Sequence, residues 1–472
     1  MNFAEIRFWL ALAAGMLVVL IVCGLSSFFI RDESGRSVRD RCLLFLLGLG
    51  LLSVVGWVTT VVFIYVIIVT YSGTTLLIRG RIPPRVGIVL LTVLQLAPLL
   101  IFKYGSFIST DVLMLGNSLL HGLVIPVGVS FYTFQCMSFT WDTLRGQREA
   151  VKPMPGLLDF FNYAGFFPQI VAGPIERRTS LLPQMEKFRF RFSTSNFEEG
   201  TRWVVIGLFF KLCLGDNIAT WSVAGIESVA AWEIWLQNIF FGLRIYFDFA
   251  GYSLTALGVG RWFGIRLTIN FLSPYTRGSV TDFWRHWHVT LSQWFRDYLY
   301  LPMGGNKWTG GIVPVMVVFL VSGLWHGAGW NFLAWGGIHG VMLLIHRFCR
   351  NVSVPGVLSW VLTMAGVFFA WLFFYQTDGG VLMQNLKTLV TPEAYSLHQL
   401  KAVVQAYAGG DGLALAGVGF LIALTILFEW LGRIRYKDPY YFLGMYPVQI
   451  LMVAATVVLA PAARNSFIYF AF

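Results

Sequence analysis

From Phe8 to Ile30 the chain runs without one charged side chain. Largely apolar stretches recur at 43–57, 59–78, 86–104, 121–142, 201–219, 230–252, 311–329, 331–346, 356–376, 413–431 and 445–463. A helix needs about 20 residues to cross a bilayer core, and inside that core every backbone N–H and C=O must be satisfied within the segment. These stretches therefore predict an all-α polytopic membrane protein. Composition agrees: 57% of the residues are hydrophobic and 12% charged, about half the charged fraction of a soluble domain. The first stretch is too long for a signal-peptide core and lacks a clear small-residue cleavage site, so it reads as a retained span.

The formal net charge of +11 does not imply nucleic acid, because the basic residues fall between the apolar stretches. Arg31, Arg36, Arg39 and Arg41 form one group, and Arg79, Arg81 and Arg85 a second. Others lie between Arg145 and Arg191, and at Arg433, Arg435 and Lys437. The 105–120 connection has neither Lys nor Arg. This is the positive-inside pattern. It predicts a basic cytoplasmic rim, about twelve crossings and both termini on the opposite side. Cys23, Cys42, Cys136, Cys213 and Cys349 show no ligand spacing, so neither a disulfide framework nor a metal site is suggested.

Two regions do not read as simple spans. Residues 153–192 are apolar but broken by Pro153, Pro155, Pro168 and Gly173-Pro174. Residues 253–310 mix Trp, Arg, His and Asp with apolar residues. Irregular backbone at membrane depth persists only inside protein or against a watery cavity, so both are expected to floor such a cavity as re-entrant or interfacial elements. No internal repeat is evident. The expected organisation is one membrane domain, 1–472, with N-terminal spans in 1–120, a core in 121–350 and C-terminal spans in 351–472.

The motif Ser322-Gly323-Leu324-Trp325-His326-Gly327-Ala328 closes an apolar run and places His326 near membrane depth. An ionisable group there normally faces a protein interior or a cavity, and histidine exchanges protons near neutral pH. A helix-packing role is the plainer alternative. Upstream, the segment from Thr281 to Tyr298 lacks Gly and Pro. Read as one helix, it sets Trp284, Trp287, His288, Leu291 and Phe295 on one face and Asp282, Arg285, Arg296 and Asp297 on a charged stripe. An amphipathic interfacial helix explains that face equally well, but not two histidines within three positions. His286 then belongs to the rim and His288 to the cavity. His339 and His346 share a helix face and read as packing residues between small neighbours. His121 and His398 carry no constellation. Gly304-Gly305 marks a turn that is weak as a phosphate motif, and Asp248 reads as the ion partner of Arg244, one helical turn away.

Taken together, these segments resemble the membrane-bound O-acyltransferase family, in its alginate O-acetyltransferase-like branch. The resemblance rests on Ile125 to Gln135, Phe167 to Ile175, Tyr246 to Tyr252, Asn270-Phe271, Pro274-Tyr275, Phe283 to Gly305, Trp325 to Ala328 and the aromatic end, Phe467 to Phe472. The chain departs from the branch in having Leu254 after Gly251-Tyr252-Ser253, where the branch has Asp, and in having His286 in place of a second arginine. The resemblance implies a helical bundle of about 11–12 spans around a central cavity, with His326 and His288 catalytic. Trp325, Trp287, Asn270, Arg177, Arg178 and Arg296 become candidates for substrate or donor binding. It further implies acetyl transfer from a cytoplasmic donor such as acetyl-CoA, with no bound cofactor, in the bacterial inner membrane. The acetyl group would serve O-acetylation of an exopolysaccharide, alginate or cellulose, through a periplasmic SGNH-type acetyltransferase and the polysaccharide synthesis complex. A D-alanyl or other acyl transferase fed by a carrier protein is the alternative within the family. A proton-coupled transporter is the alternative outside it, and would call for in-span carboxylates and repeated halves.

Overall fold

A computed structural model of the chain describes residues 3–115, 122–146, 154–222, 227–409, 412–462, 465, 467 and 468. Among these residues every regular element is helical. Seven helices are long and apolar enough to cross a membrane: Ile6–Ser26, Trp57–Ile78, Pro84–Val112, Thr194–Trp221, Thr309–His326, Gly356–Tyr375 and Gly412–Tyr436. Helices Glu33–Val55, Val129–Gly146, Ala231–Trp262, Trp330–Phe348 and the shorter Tyr446–Leu459 occupy other expected positions. The 121–142 stretch is not helical from its start: His121 lies outside the described residues, and the helix begins at Val129 after a turn at Gly128 (φ 77°). A Cβ on Gly128 would meet the carbonyl of Ile170, so only glycine lets the two backbones approach there.

The described residues group into two compact units, Met1–Val204 with Thr255–Thr268, and Val205–Leu254 with Ile269–Phe472. In the first, the broken apolar segment is buried in protein, as its composition required. Gln135 Nε2 and Gln169 Nε2 both donate to the carbonyl of Tyr163, at 2.8 and 3.0 Å, and the Tyr163 hydroxyl donates to the carbonyl of Glu176 at 3.0 Å. Side chains thus satisfy backbone groups that no helix pairs. A second polar knot joins three helices: Gln95 Nε2 donates to Thr70 and Thr140, and Thr74 and Thr140 share a hydroxyl contact at 3.0 Å.

In the second unit, Ile312–His326 and Trp330–Phe348 pack backbone against backbone. A Cβ on Gly323 would run into the carbonyl of Phe332, and one on Gly336 into the carbonyl of Phe319. Small residues at such crossings replace the hydrophobic drive that lipid cannot supply. A buried ion cluster lies elsewhere in this unit: Asp248 acts electrostatically on Arg244, as expected, but its ion-pair contact is with Lys211. Lys211 Nζ lies 2.6 Å from Asp248 and 2.8 Å from Asp216. Lys211 reaches Asp248 from the π-helical stretch Phe209–Gly215, a tertiary contact that local helix spacing does not reveal. The same cluster ties down a later segment: Ile468 N–H donates to Asp248 at 2.6 Å, and Lys211 donates to the carbonyl of Asn465 at 3.2 Å.

The glycine crossing gives a direct test. Gly323→Ala is expected to destabilise the protein by about 1–3 kcal/mol, the usual penalty of overpacking. Gly417→Ala, on a helix where nothing lies within 4 Å of the added carbon, should be neutral or stabilising. Thermal unfolding in one detergent, read for both variants, checks the contrast.

Candidate active site

The segment 281–298 is not one helix. Val280–His286 ends at Trp287, His288 adopts a left-handed conformation (φ 42°, ψ 58°), and Val289–Phe295 begins after it. The break comes from pairing with an extended stretch nearby in sequence. Leu272 N–H donates to the carbonyl of His286 at 3.0 Å, and Val289 N–H donates to the carbonyl of Asn270 at 2.9 Å. The Asn270 side chain completes the brace, its Oδ1 accepting from Thr290 N–H at 3.2 Å and from the Thr290 hydroxyl at 2.7 Å. The first N–H groups of a helix have no intrahelical acceptor, so Asn270 caps the second helix from outside. A left-handed non-glycine residue is disfavoured by about 1–2 kcal/mol, and this brace offsets that. Asn270 therefore holds the turn that carries His288; its carbonyl and Oδ1 are engaged there.

That turn buries His288 to 1% exposure. Its ring meets the edge of Phe249 at 4.8 Å between centroids and lies 6.0 Å from Trp325. Burial pushes the imidazole down to about 3, so it is neutral at physiological pH. His326 is the last residue of Ile312–His326. It is boxed by Trp325, Trp335 and Phe374 at 4.9, 5.0 and 5.3 Å. The next residue must be glycine, because a Cβ on Gly327 would overlap the Phe332 ring. Trp325 thus touches both histidines.

His288 and His326 line one cavity of about 610 Å³. Trp284, Trp287, Phe319 and Ser322 contribute to its wall, as do Arg285, Arg296 and Tyr300. The two imidazoles are buried, whereas Arg285 and Arg296 are exposed. The cavity therefore has a dry aromatic end and a wet basic mouth. Arg285 belongs at this mouth with Arg296, a placement the sequence offered only as part of a charged stripe. His286, by contrast, is turned back on its own helix, with Nδ1 2.7 Å from the carbonyl of Asp282.

All the lining residues belong to the second unit, whereas Arg177 and Arg178 belong to the first. Arg178 is buried, bonded to the Thr143 hydroxyl and set over the Phe139 ring at 5.2 Å. It serves packing within its own unit, not an exposed rim. Residues 154–192, which the sequence offered as a cavity floor, belong to the first unit and are largely buried there. His339 is fully buried and accepts from Trp284 Nε1 at 3.3 Å. It backs a wall of the cavity. His346 faces the same short helix through Thr281 at 3.0 Å. The helix spacing of these two histidines was legible; their partners were not.

Residues 88–383 match MBOAT, the membrane-bound O-acyltransferase family. The chain belongs to that family, and it is a multi-pass membrane O-acyltransferase. It is 33% identical over 353 residues to a peptidoglycan O-acetyltransferase of Helicobacter pylori, covering 67% of each chain. It is 35% identical over 380 residues to the probable alginate O-acetylase AlgI of Pseudomonas aeruginosa, covering 77% of this chain and 70% of that one. A teichoic acid D-alanyltransferase of Bacillus subtilis is 28% identical over 242 residues, 48% of this chain.

Asn270→Ala should lower stability by about 1–3 kcal/mol, the penalty for leaving buried Thr290 groups without an acceptor. It should also lower acyl transfer nearly as much as losing His288, because the turn that places the imidazole relaxes. Unfolding and turnover measured on one preparation separate the two effects.

Proposed function

We propose that the cavity transfers an acetyl group from an anionic thioester donor, acetyl-CoA, to a hydroxyl acceptor, and that His326 and His288 carry the chemistry. The supporting observation is the pairing of two buried histidines with an exposed arginine mouth in one cavity. As the acceptor oxygen attacks the thioester carbonyl, the His326 imidazole takes its proton, a contribution of about 10²–10⁴-fold for a positioned base. The neutral His288 has one N–H to offer the developing oxyanion, and such donors act most strongly where water is excluded. Collapse of the tetrahedral adduct breaks the C–S bond, and the leaving thiolate recovers the proton from His326. Arg285 and Arg296 attract the donor's phosphates at the mouth, while Trp287 lines the dry end and Trp325 packs against both histidines.

The destination of the acetyl group is an exported polysaccharide: alginate, cellulose or, as the Helicobacter pylori relative suggests, peptidoglycan. In this reading the protein sits in the bacterial inner membrane and hands the group to a periplasmic acetyltransferase of the synthesis complex. A carrier-borne donor and a D-alanyl group form the second reading, favoured by the more distant teichoic acid relatives.

His326→Ala should reach the membrane in normal amount and abolish acetyl transfer. His288→Ala should lose at least about tenfold in rate, whereas His286→Ala should be mild. Polymer acetylation in cells carrying each variant measures this, and normal acetylation with His326→Ala would remove the catalytic assignment. Arg285→Gln with Arg296→Gln should raise the apparent KM for the donor, most at low ionic strength, where exposed charges reach beyond the ~10 Å they span in 0.1 M salt. Donor kinetics across a salt series test this, and a salt-independent, unchanged KM would leave the mouth without a donor role.

A further inference from the structure

A second recess in the same unit is separate from the histidine cavity. Its volume is about 730 Å³, and its walls come from two spanning helices, Gly356–Tyr375 and Gly412–Tyr436. Val357 and Trp360 line it from one, and Ile426, Leu427, Trp430 and Arg433 from the other. Val357, Trp360, Leu427 and Trp430 are all substantially exposed, as residues bordering lipid would be. Trp360 is fixed in place: its Nε1 donates to the carbonyl of Tyr275 at 2.8 Å.

The cationic side chain of the groove is Arg433. Arg433 donates to the carbonyl of Thr276 at 3.3 Å, and no carboxylate among the described residues pairs with it. Arg277 nearby has a carboxylate of its own, Asp282, at 3.8 Å, which leaves Arg433 as the guanidinium open to a ligand. Arg433 occupies the last turn of its helix beside Arg435, at the end marked by basic loops, and Val357 begins the neighbouring helix at that same end. Tryptophans at this level are typical of the headgroup zone, and the leaflet beside basic loops is rich in anionic lipid.

We propose that this groove binds an anionic glycerophospholipid, its phosphate against Arg433 and its acyl chains along Trp360, Leu427 and Trp430. Apolar walls open between spanning helices suit acyl chains, and an unpaired guanidinium suits a phosphate in bidentate contact.

Native mass spectrometry of the purified full chain in detergent, with phosphatidylglycerol and phosphatidylcholine added in turn, tests this. The wild type should retain phosphatidylglycerol in preference to phosphatidylcholine. Arg433→Gln should weaken that preference about fivefold, the effect of roughly one arginine near an anionic surface, and exposed Arg435→Gln should leave it intact. Val357→Trp, at an exposed position that tolerates bulk, should fill the groove and reduce retention of both lipids. Equal retention of the two lipids by the wild type would overturn the proposal. So would unchanged retention in Val357→Trp, an outcome that stands even where Arg433→Gln fails to fold. Displacement of phosphatidylglycerol by inorganic phosphate would assign the site to a simple anion and overturn it as well.

Discussion

The geometry of the histidine cavity depends on a short backbone pairing between Asn270–Leu272 and His286–Thr290. In a protein built from helices, these few inter-segment bonds convert a potential continuous helix into two pieces with a left-handed histidine between them. Without the break, His288 and Arg285 would be fixed by helical spacing alone. With it, His288 is buried while Arg285 reaches the mouth. Trp287 and Phe271 pack edge to face at 5.1 Å behind the turn, so aromatic packing reinforces what the hydrogen bonds set.

The second histidine is held by a different device. His326 ends a helix whose neighbour approaches to backbone contact through Gly323 and Gly336, and the aromatic box then closes around its ring. One histidine is thus placed by hydrogen bonds and the other by close packing. Trp325 joins the two arrangements. The ion cluster of Lys211, Asp216 and Asp248 adds a third constraint, because Phe249, next in sequence to Asp248, meets both His288 and Phe467. Buried charge of this kind survives only when paired, and here the pairing also fastens the segment around Ile468.

Much of this is legible in the amino-acid sequence alone, for physical reasons. Spans follow from hydropathy because lipid leaves the backbone no alternative to helix. His326 stands out because an ionisable residue among glycines and a tryptophan at the end of an apolar run has few structural uses. The turn at His288 is not legible: it contains neither Gly nor Pro, and its cause lies in contacts from residues 270–272. Nor is the partner of Asp248, since Arg244 satisfies the local helix rule while Lys211 satisfies the three-dimensional one. Arg178 misleads in another way. The positive-inside pattern counts charges near a membrane face but does not say which side chains turn inward, and this one turns onto Phe139.

The separation of imidazoles from guanidiniums within one cavity follows from the dielectric each requires. Two unit charges 4 Å apart interact by about 1 kcal/mol in water and about 4 kcal/mol at an effective dielectric of 20. On the proposed mechanism, a guanidinium at the dry end would oppose the positive charge that His326 gains as it accepts a proton. At the mouth, solvent screens the arginines from the buried ring while leaving them available to an arriving anion. On that reading, a base and a donor-attracting charge are compatible in one cavity only when they sit at opposite ends of such a gradient. The stretch around Trp287-His288 supplies His288 to the dry end and Arg285 and Arg296 to the mouth, while His326 comes from a separate helix.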